Sequence, residues 1–307
     1  MKKPLLYFAC AMLLNQTAPA VVVISGLPHT TAPAGQPFFD NVGSVNGASA
    51  VYLGGQWVIT AAHVAGVLPV SASFGGTAYP TAPGSFHHLT NPVGLGLSVF
   101  TDLVAFRLAT DPGLPALGLA ADPAPVGTPV MLVGYGLHGA AEPTFWQVTI
   151  KPGSDDDVWA ERAYLDPGVN AAGFITTSPS VKQWGENQIE TIGEMINYGH
   201  GHVAGFTTKF NTGAGPDEAQ AASGDSGGAV FRQAAGGWQL AGMMVAVDHY
   251  ENQPAAAVIG NSTYALDLSA YRSQLVAIIP EPSAALGTFG VLGLVLLRRR
   301  RSIPAWS

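Results

Sequence analysis

Between residues 42 and 60 the chain alternates short apolar stretches with glycine and asparagine breaks. Val42-Gly43-Ser44-Val45, Ala50-Val51-Tyr52-Leu53 and, after the turn Gly54-Gly55-Gln56, Trp57-Val58-Ile59-Thr60 each have the length of a strand. Together they predict a β-meander. Leu103 to Leu108 is another nearly apolar strand, headed by Asp102. Ala229-Val230-Phe231 and Trp238 to Val245 predict a hairpin across a glycine-containing turn. From Tyr264 to Val276 the apolar residues fall at helical spacing, which predicts a C-terminal helix. No internal repeat stands out.

Composition agrees with an all-β globule. The 307 residues are 48% hydrophobic and 11% charged, with 38 Gly and 23 Pro. That is too apolar for disorder and rich in turn formers. The formal charge of −7 offers no basic surface for nucleic acid. The one cysteine is Cys10. A chain cut after Ala20 would therefore carry no disulfide, no thiol catalyst and no cysteine-based metal site.

Both ends read as sorting segments. Met1-Lys2-Lys3, an apolar run from Pro4 to Leu14 and Ala18-Pro19-Ala20 have the three parts of a secretory signal peptide over 1–20. A buried N-terminal helix is the plainer alternative. At the other end, Pro280-Glu281-Pro282 precedes an apolar run from Ser283 to Leu297 and then Arg298-Arg299-Arg300-Arg301. The run is short for a transmembrane helix, and the arginines would stay cytoplasmic. This order over 280–301 resembles the PEP-CTERM sorting signal. The resemblance implies membrane attachment before processing, an exosortase-type enzyme as partner beside signal peptidase, and export to the cell surface or extracellular matrix of a Gram-negative bacterium. An ordinary tail anchor with a proline linker is the alternative. Loss of both ends removes Lys2, Lys3 and Arg298 to Arg301 and, of the acidic residues, Glu281 alone, so the exported body would be more acidic than the whole.

Three segments carry candidate chemistry. Val58-Ile59-Thr60-Ala61-Ala62-His63 ends in an imidazole, Asp102 precedes an apolar strand, and Gly224-Asp225-Ser226-Gly227-Gly228 sets a serine in a glycine turn. A serine hydroxyl becomes a useful nucleophile when an imidazole takes its proton and a buried carboxylate orients that imidazole. The chain order His…Asp…Ser, each residue in its local context, resembles the trypsin/chymotrypsin serine peptidase family. Val126-Gly127-Thr128-Pro129-Val130-Met131-Leu132-Val133-Gly134-Tyr135-Gly136 is similar to the strand that opens its second barrel. The implied fold is all-β and chymotrypsin-like: two six-stranded antiparallel Greek-key β-barrels and a C-terminal helix. The first barrel would span 21–120, and the second, with inserted loops, 121–279.

The resemblance implies His63, Asp102 and Ser226 as catalytic residues and a protein or peptide as substrate. It implies no cofactor and no metal. The N–H groups of Gly224 and Ser226 would form the oxyanion hole. Asp225 would pair with a new N-terminal amine, for which Val21, exposed by cleavage after Ala20, and Ile24 are the candidates. The pocket base falls on Gln220, and Val245-Ala246-Val247 takes the place of Ser-Trp-Gly in the cleft strand. Gln220 lacks the carboxylate that selects Lys or Arg, and Val245 and Val247 would narrow the pocket. Small or uncharged residues are therefore expected before the scissile bond. Ala229, where the family has proline, is a departure.

The remaining polar clusters are weaker. Ser154-Asp155-Asp156-Asp157 reads as a solvated loop, with calcium binding the alternative. His87-His88 and His200-Gly201-His202 lack a companion ligand at a zinc spacing and read as loop or surface histidines. Two other functions compete with a peptidase. One is a catalytically inactive chymotrypsin-like surface binding module, and the other is a structural matrix protein that carries a sorting signal.

Overall fold

The computed structural model describes residues 21–95, 98–151 and 157–279. The proposed signal peptide, the sorting signal and the acids at 155 and 156 lie outside the described residues.

In chain order the strands of the first half are β1 (Val22–Val23), β2 (Val42–Val45), β3 (Ala48–Gly54) and β4 (Trp57–Thr60). A one-turn helix, α1 (Ala62–Ala65), follows, then β5 (Ser71–Phe74), β6 (Thr77–Pro80), β7 (His87–Thr90) and β8 (Phe100–Arg107). Seven of them form one antiparallel sheet in the order β6-β5-β2-β3-β4-β8-β7. A bridge between Thr81 and Leu108 brings the end of β6 against the end of β8 and closes the sheet on itself. The expected meander is β2-β3-β4, and its glycine and asparagine turns stand where the sequence places them. Val45, Ala50, Tyr52, Val58, Phe74 and Phe106 fill the interior.

The second half contains β9 (Gly118–Leu119), β10 (Pro129–Gly139), β11 (Thr144–Thr149), β12 (Val158–Arg162), β13 (Ala171–Asn197), β14 (His202–Lys209) and β15 (Ala219–Gln220). It ends with β16 (Ala229–Ala234), β17 (Gly237–Val247), β18 (Ala256–Val258), β19 (Ser262–Asp267) and α2 (Arg272–Ile278). Strands β10, β16, β17, β19, β14 and β13 pair in that order, and β13 pairs back onto β10, making a closed barrel. The hairpin β16-β17 is the expected one. The inserted chain is the pair β11-β12, carried on a far extension of the 27-residue strand β13. The all-β expectation, two antiparallel closed sheets and a short C-terminal helix, holds. Strands β7, β9, β11, β12 and β18 are additions to the two rings.

One boundary differs from the sequence reading. Tyr264 to Asp267 are strand, and helix begins only after them. Tyr264, Ala265 and Leu266 are hydrogen-bonded on both edges, to β14 and to β17. Two ladders of backbone bonds outweigh a helical spacing that one apolar stripe would satisfy. The Asp267 side chain then accepts from the Ser269 N–H at 2.9 Å and caps the turn into α2.

A further cluster joins the two halves. Phe38, Phe39 and Val51 pack with Met131, Phe231, Leu240 and Met243. Burying each such side chain stabilises the fold by about 1.5–3 kcal/mol. The two halves are thereby held with their candidate catalytic segments face to face.

Candidate active site

His63 sits in α1, at the end of β4. Its backbone N–H is one of the donors that a helix N-terminus leaves without an intrahelical partner. It donates to Asp102 Oδ1 at 2.8 Å, and the ring Nδ1 lies 2.6 Å from Asp102 Oδ2. One carboxylate therefore caps the turn and orients the ring. Asp102 lies on β8 with its side chain fully buried, while the His63 side chain is 19% exposed. A buried carboxylate costs heavily unless it is well hydrogen-bonded. Here Oδ2 also accepts from the hydroxyl of Tyr198, a partner that the sequence did not suggest. The engagement of Nδ1 leaves Nε2 as the free ring nitrogen.

Ser226 is reached from the other half. The turn that carries it is tied to β3 through Ser49: the Ser49 N–H donates to Ser226 O at 3.0 Å and Ser49 Oγ donates to Gly224 O at 3.0 Å. Ser49 Oγ accepts in turn from the Tyr135 N–H at 2.7 Å. Gly227 lies so close behind the serine that a Cβ there would stand 2.3 Å from Ser49 O and 2.4 Å from Thr60 Oγ1. Gly224 holds φ +94°, a conformation that glycine adopts freely. The N–H groups of Asp225, Gly227 and Gly228 are taken by Ala222, Met244 and Asp225 carbonyls. Among the described residues none accepts from the N–H of Gly224 or Ser226. The Ser226 hydroxyl is directed at Val245 O, 3.5 Å away.

His63 and Ser226 share a cavity of about 580 Å³ with Gln220, Val245 and Val247. All three pocket residues expected from the sequence thus face the same space. Gln220 is 2% exposed, and among the described residues its Oε1 has no hydrogen-bond partner. The wall is otherwise made largely of small apolar groups, Ala221, Ala222, Ala246 and Ala255 to Ala257, with Thr176 and His249. No carboxylate lines it among the described residues.

Asp225 points away from the cavity and is fully buried. Its Oδ2 accepts from the Ala222 N–H at 2.7 Å, while among the described residues Oδ1 has no hydrogen-bond partner. Burial pushes this carboxyl up to about 7, against the opposing pull of the Ala222 and Val21 N–H groups. The Val21 N–H faces it without completing a hydrogen bond. Of the two N-terminal candidates, Val21 is the one brought to Asp225. Val21 is itself buried, and β1 just after it pairs with β15.

The histidine pairs divide. His88 Nε2 lies 2.7 Å from Thr101 O, and His87 packs on Trp57. His200, expected as a loop residue, stacks on the His63 ring, with centroids 4.6 Å apart and planes 24° apart. Among the described residues no group of three or more His, Cys, Asp or Glu is placed to hold a metal ion. The sequence reading missed Ser49, Tyr198 and His200. Each is an ordinary strand or loop residue locally and acquires a role only through contacts across the fold.

No protein-family model matches the chain, and no curated protein matches it. Among solved structures the chain is similar to the Rv3671c protease of M. tuberculosis in its inactive form, at 16% identity, 79% of this chain, 90% of the other and TM-score 0.44. It is similar to a mutant of human heparin binding protein, at 12% identity, 83% of this chain, 97% of the other and TM-score 0.48. It is also similar to neuropsin, a serine protease of mouse brain, at 16% identity, 80% of this chain, 96% of the other and TM-score 0.46.

Proposed function

We propose that this chain is an exported serine endopeptidase that hydrolyses peptide bonds through an acyl-enzyme. The observation that carries the reading is the hydrogen-bonded His63–Asp102 pair in one cavity with Ser226. Ser226 Oγ attacks the scissile carbonyl as His63 Nε2 takes its proton. Asp102 holds the tautomer with Nδ1–H and stabilises the imidazolium. The N–H groups of Gly224 and Ser226 receive the developing oxyanion, each worth about 3–4 kcal/mol of barrier. His63 then protonates the leaving amine, and water, activated by the same imidazole, releases the acyl group.

Gln220, the alanine wall and the absence of a lining carboxylate among the described residues favour small or uncharged residues before the scissile bond. Lys and Arg are disfavoured. Export rests on the two end segments. Signal peptidase, cutting after Ala20, would place the new Val21 amine against the unpartnered Oδ1 of Asp225. An exosortase-type enzyme would act at the other end. Among the described residues no helix is long and apolar enough to cross a membrane.

A second reading, a binding module of the same architecture without turnover, is favoured by the Ser226 hydroxyl facing Val245 O. A fluorophosphonate probe separates the two. Labelling of the exported protein that Ser226→Ala abolishes supports the peptidase. Absence of labelling in folded protein whose N-terminus is mapped to Val21 supports the binding module.

A further inference from the structure

The residues that cover the His63–Asp102 pair come from a place the catalytic reading does not use, the connection between β13 and β14. Tyr198 donates its hydroxyl to Asp102 Oδ2, the oxygen that also receives His63 Nδ1. Its ring lies edge-on to the His63 ring, with centroids 6.2 Å apart and planes 79° apart. Two residues on, His200 stacks on the same imidazole. The connection is anchored to residues between β7 and β8. Ser98 Oγ accepts from the His202 N–H at 3.0 Å, the Ser98 N–H donates to His202 Nδ1 at 3.3 Å, and Asn91 Nδ2 donates to His202 O at 2.9 Å. Asn91 Oδ1 is in turn held by the Tyr271 hydroxyl at 2.7 Å.

We propose that Tyr198 is a positioning residue for the reaction: its hydroxyl fixes the Asp102 carboxylate that orients His63, and His200 holds the imidazole plane by stacking on it. The proposal rests on the peptidase reading for its consequence in rate, and on the geometry alone for its consequence at the His63–Asp102 hydrogen bond.

Two physical effects follow from a second donor on Oδ2. It restricts rotation of the carboxylate, so that the ring is presented in one orientation. It also makes Oδ2 a shared acceptor, so that the His63 Nδ1 hydrogen bond is made to an oxygen already engaged by Tyr198. Tyr198 remains a neutral donor throughout, because burial and then the Asp102 charge hold its hydroxyl far above the ordinary range. The polar and titratable groups facing this assembly are Asp102 from β8, Tyr271 before α2, His63 from α1, His200 from the connection itself, and Ser226 and His249 across the cavity. On its other side Tyr198 shares a further cavity with Glu194, Asp248 and Tyr264; among the described residues, Asp102 is the carboxylate that its hydroxyl bonds.

The test uses the full exported protein and Tyr198→Phe, which keeps the ring and removes the hydroxyl. The second-order rate of fluorophosphonate labelling is expected to fall about tenfold. The low-field NMR resonance of the His63–Asp102 proton is expected to move as well, a readout that needs no turnover. His200→Ala is expected to speed exchange of that proton with water. If the Tyr198→Phe resonance coincides with that of the parent, the positioning role is overturned even where labelling works. If the parent does not label but the resonance moves, the role stands at the hydrogen bond and the peptidase reading fails. If His200→Ala leaves exchange unchanged, the stacking role is overturned.

Discussion

Ser49 and Ser226 are joined directly: the backbone N–H of the first donates to the carbonyl oxygen of the second at 3.0 Å. Ser49 belongs to the sheet that carries His63 and Asp102, and Ser226 to the turn opposite. The hydroxyl of Ser49 adds a bond to Gly224 O and takes one from the Tyr135 N–H. The Ser49→Ala variant would keep the backbone link and leave Gly224 O and the Tyr135 N–H without this partner. We expect a loss of about 2–4 kcal/mol in chemical denaturation and slower fluorophosphonate labelling. Unchanged stability would remove Ser49 from its place as a tie between the halves.

Gly227 has no room for a methyl group, and its φ is +85°. Gly227→Ala should destabilise the fold by about 3 kcal/mol or more. Gly236, where a Cβ would meet nothing within 4 Å, should accept alanine with a change of about 0.5 kcal/mol or less. Paired thermal melts of the two variants check the contrast.

The Asp225 carboxyl makes stability depend on how the chain begins. Its pKa in the uncut fold is raised to about 7 from an ordinary 3.8. The folded state then binds the proton more tightly than the unfolded state, so this contribution is fully present below about pH 4. It is lost as pH rises to about 7, for a total of about 4 kcal/mol. A chain that begins at Val21 supplies an ammonium beside the carboxylate and should lack this loss. Urea denaturation of the Val21 form and of an N-terminally extended form should agree near pH 4 and diverge by pH 7, with the extended form weaker. Parallel curves would argue against the amine–carboxylate pairing.

Gln220 is a buried polar residue lining the cavity, and among the described residues its Oε1 has no hydrogen-bond partner. A peptide library should give little cleavage after Lys or Arg. Gln220→Glu should raise cleavage after those residues by about tenfold relative to uncharged ones. A profile of the parent dominated by Arg would contradict the pocket assignment.

Much of this arrangement is visible in the sequence because it is local. Gly-Asp-Ser-Gly-Gly is a turn, Trp57 to Thr60 is a strand, and each delivers its residue within a few positions. The placement of Gln220, Val245 and Val247 around one cavity follows from the same hairpin and the short strand before the serine. What was not legible is what reaches across. Ser49 reads as one more small residue in a strand, and Tyr198 as a loop aromatic between a glutamate-rich strand and a Gly-His-Gly-His run. Their partners lie 175 and 96 positions away, and no periodicity encodes such a distance. Helical spacing places the C-terminal helix too early for a related reason, since the two ladders that claim Tyr264 to Leu266 are themselves long-range.

The attachment of Tyr198 and Ser49 across the two halves also orders events in time. A chain whose first half has folded alone holds Asp102 with His63 but lacks the hydroxyl from Tyr198. Its strand β3 is in place, but the serine turn that docks on Ser49 is not yet formed. On the peptidase reading, neither half alone would be a catalyst: a chain still folding would be chemically silent, and reactivity would arrive in one step, when the halves close on each other.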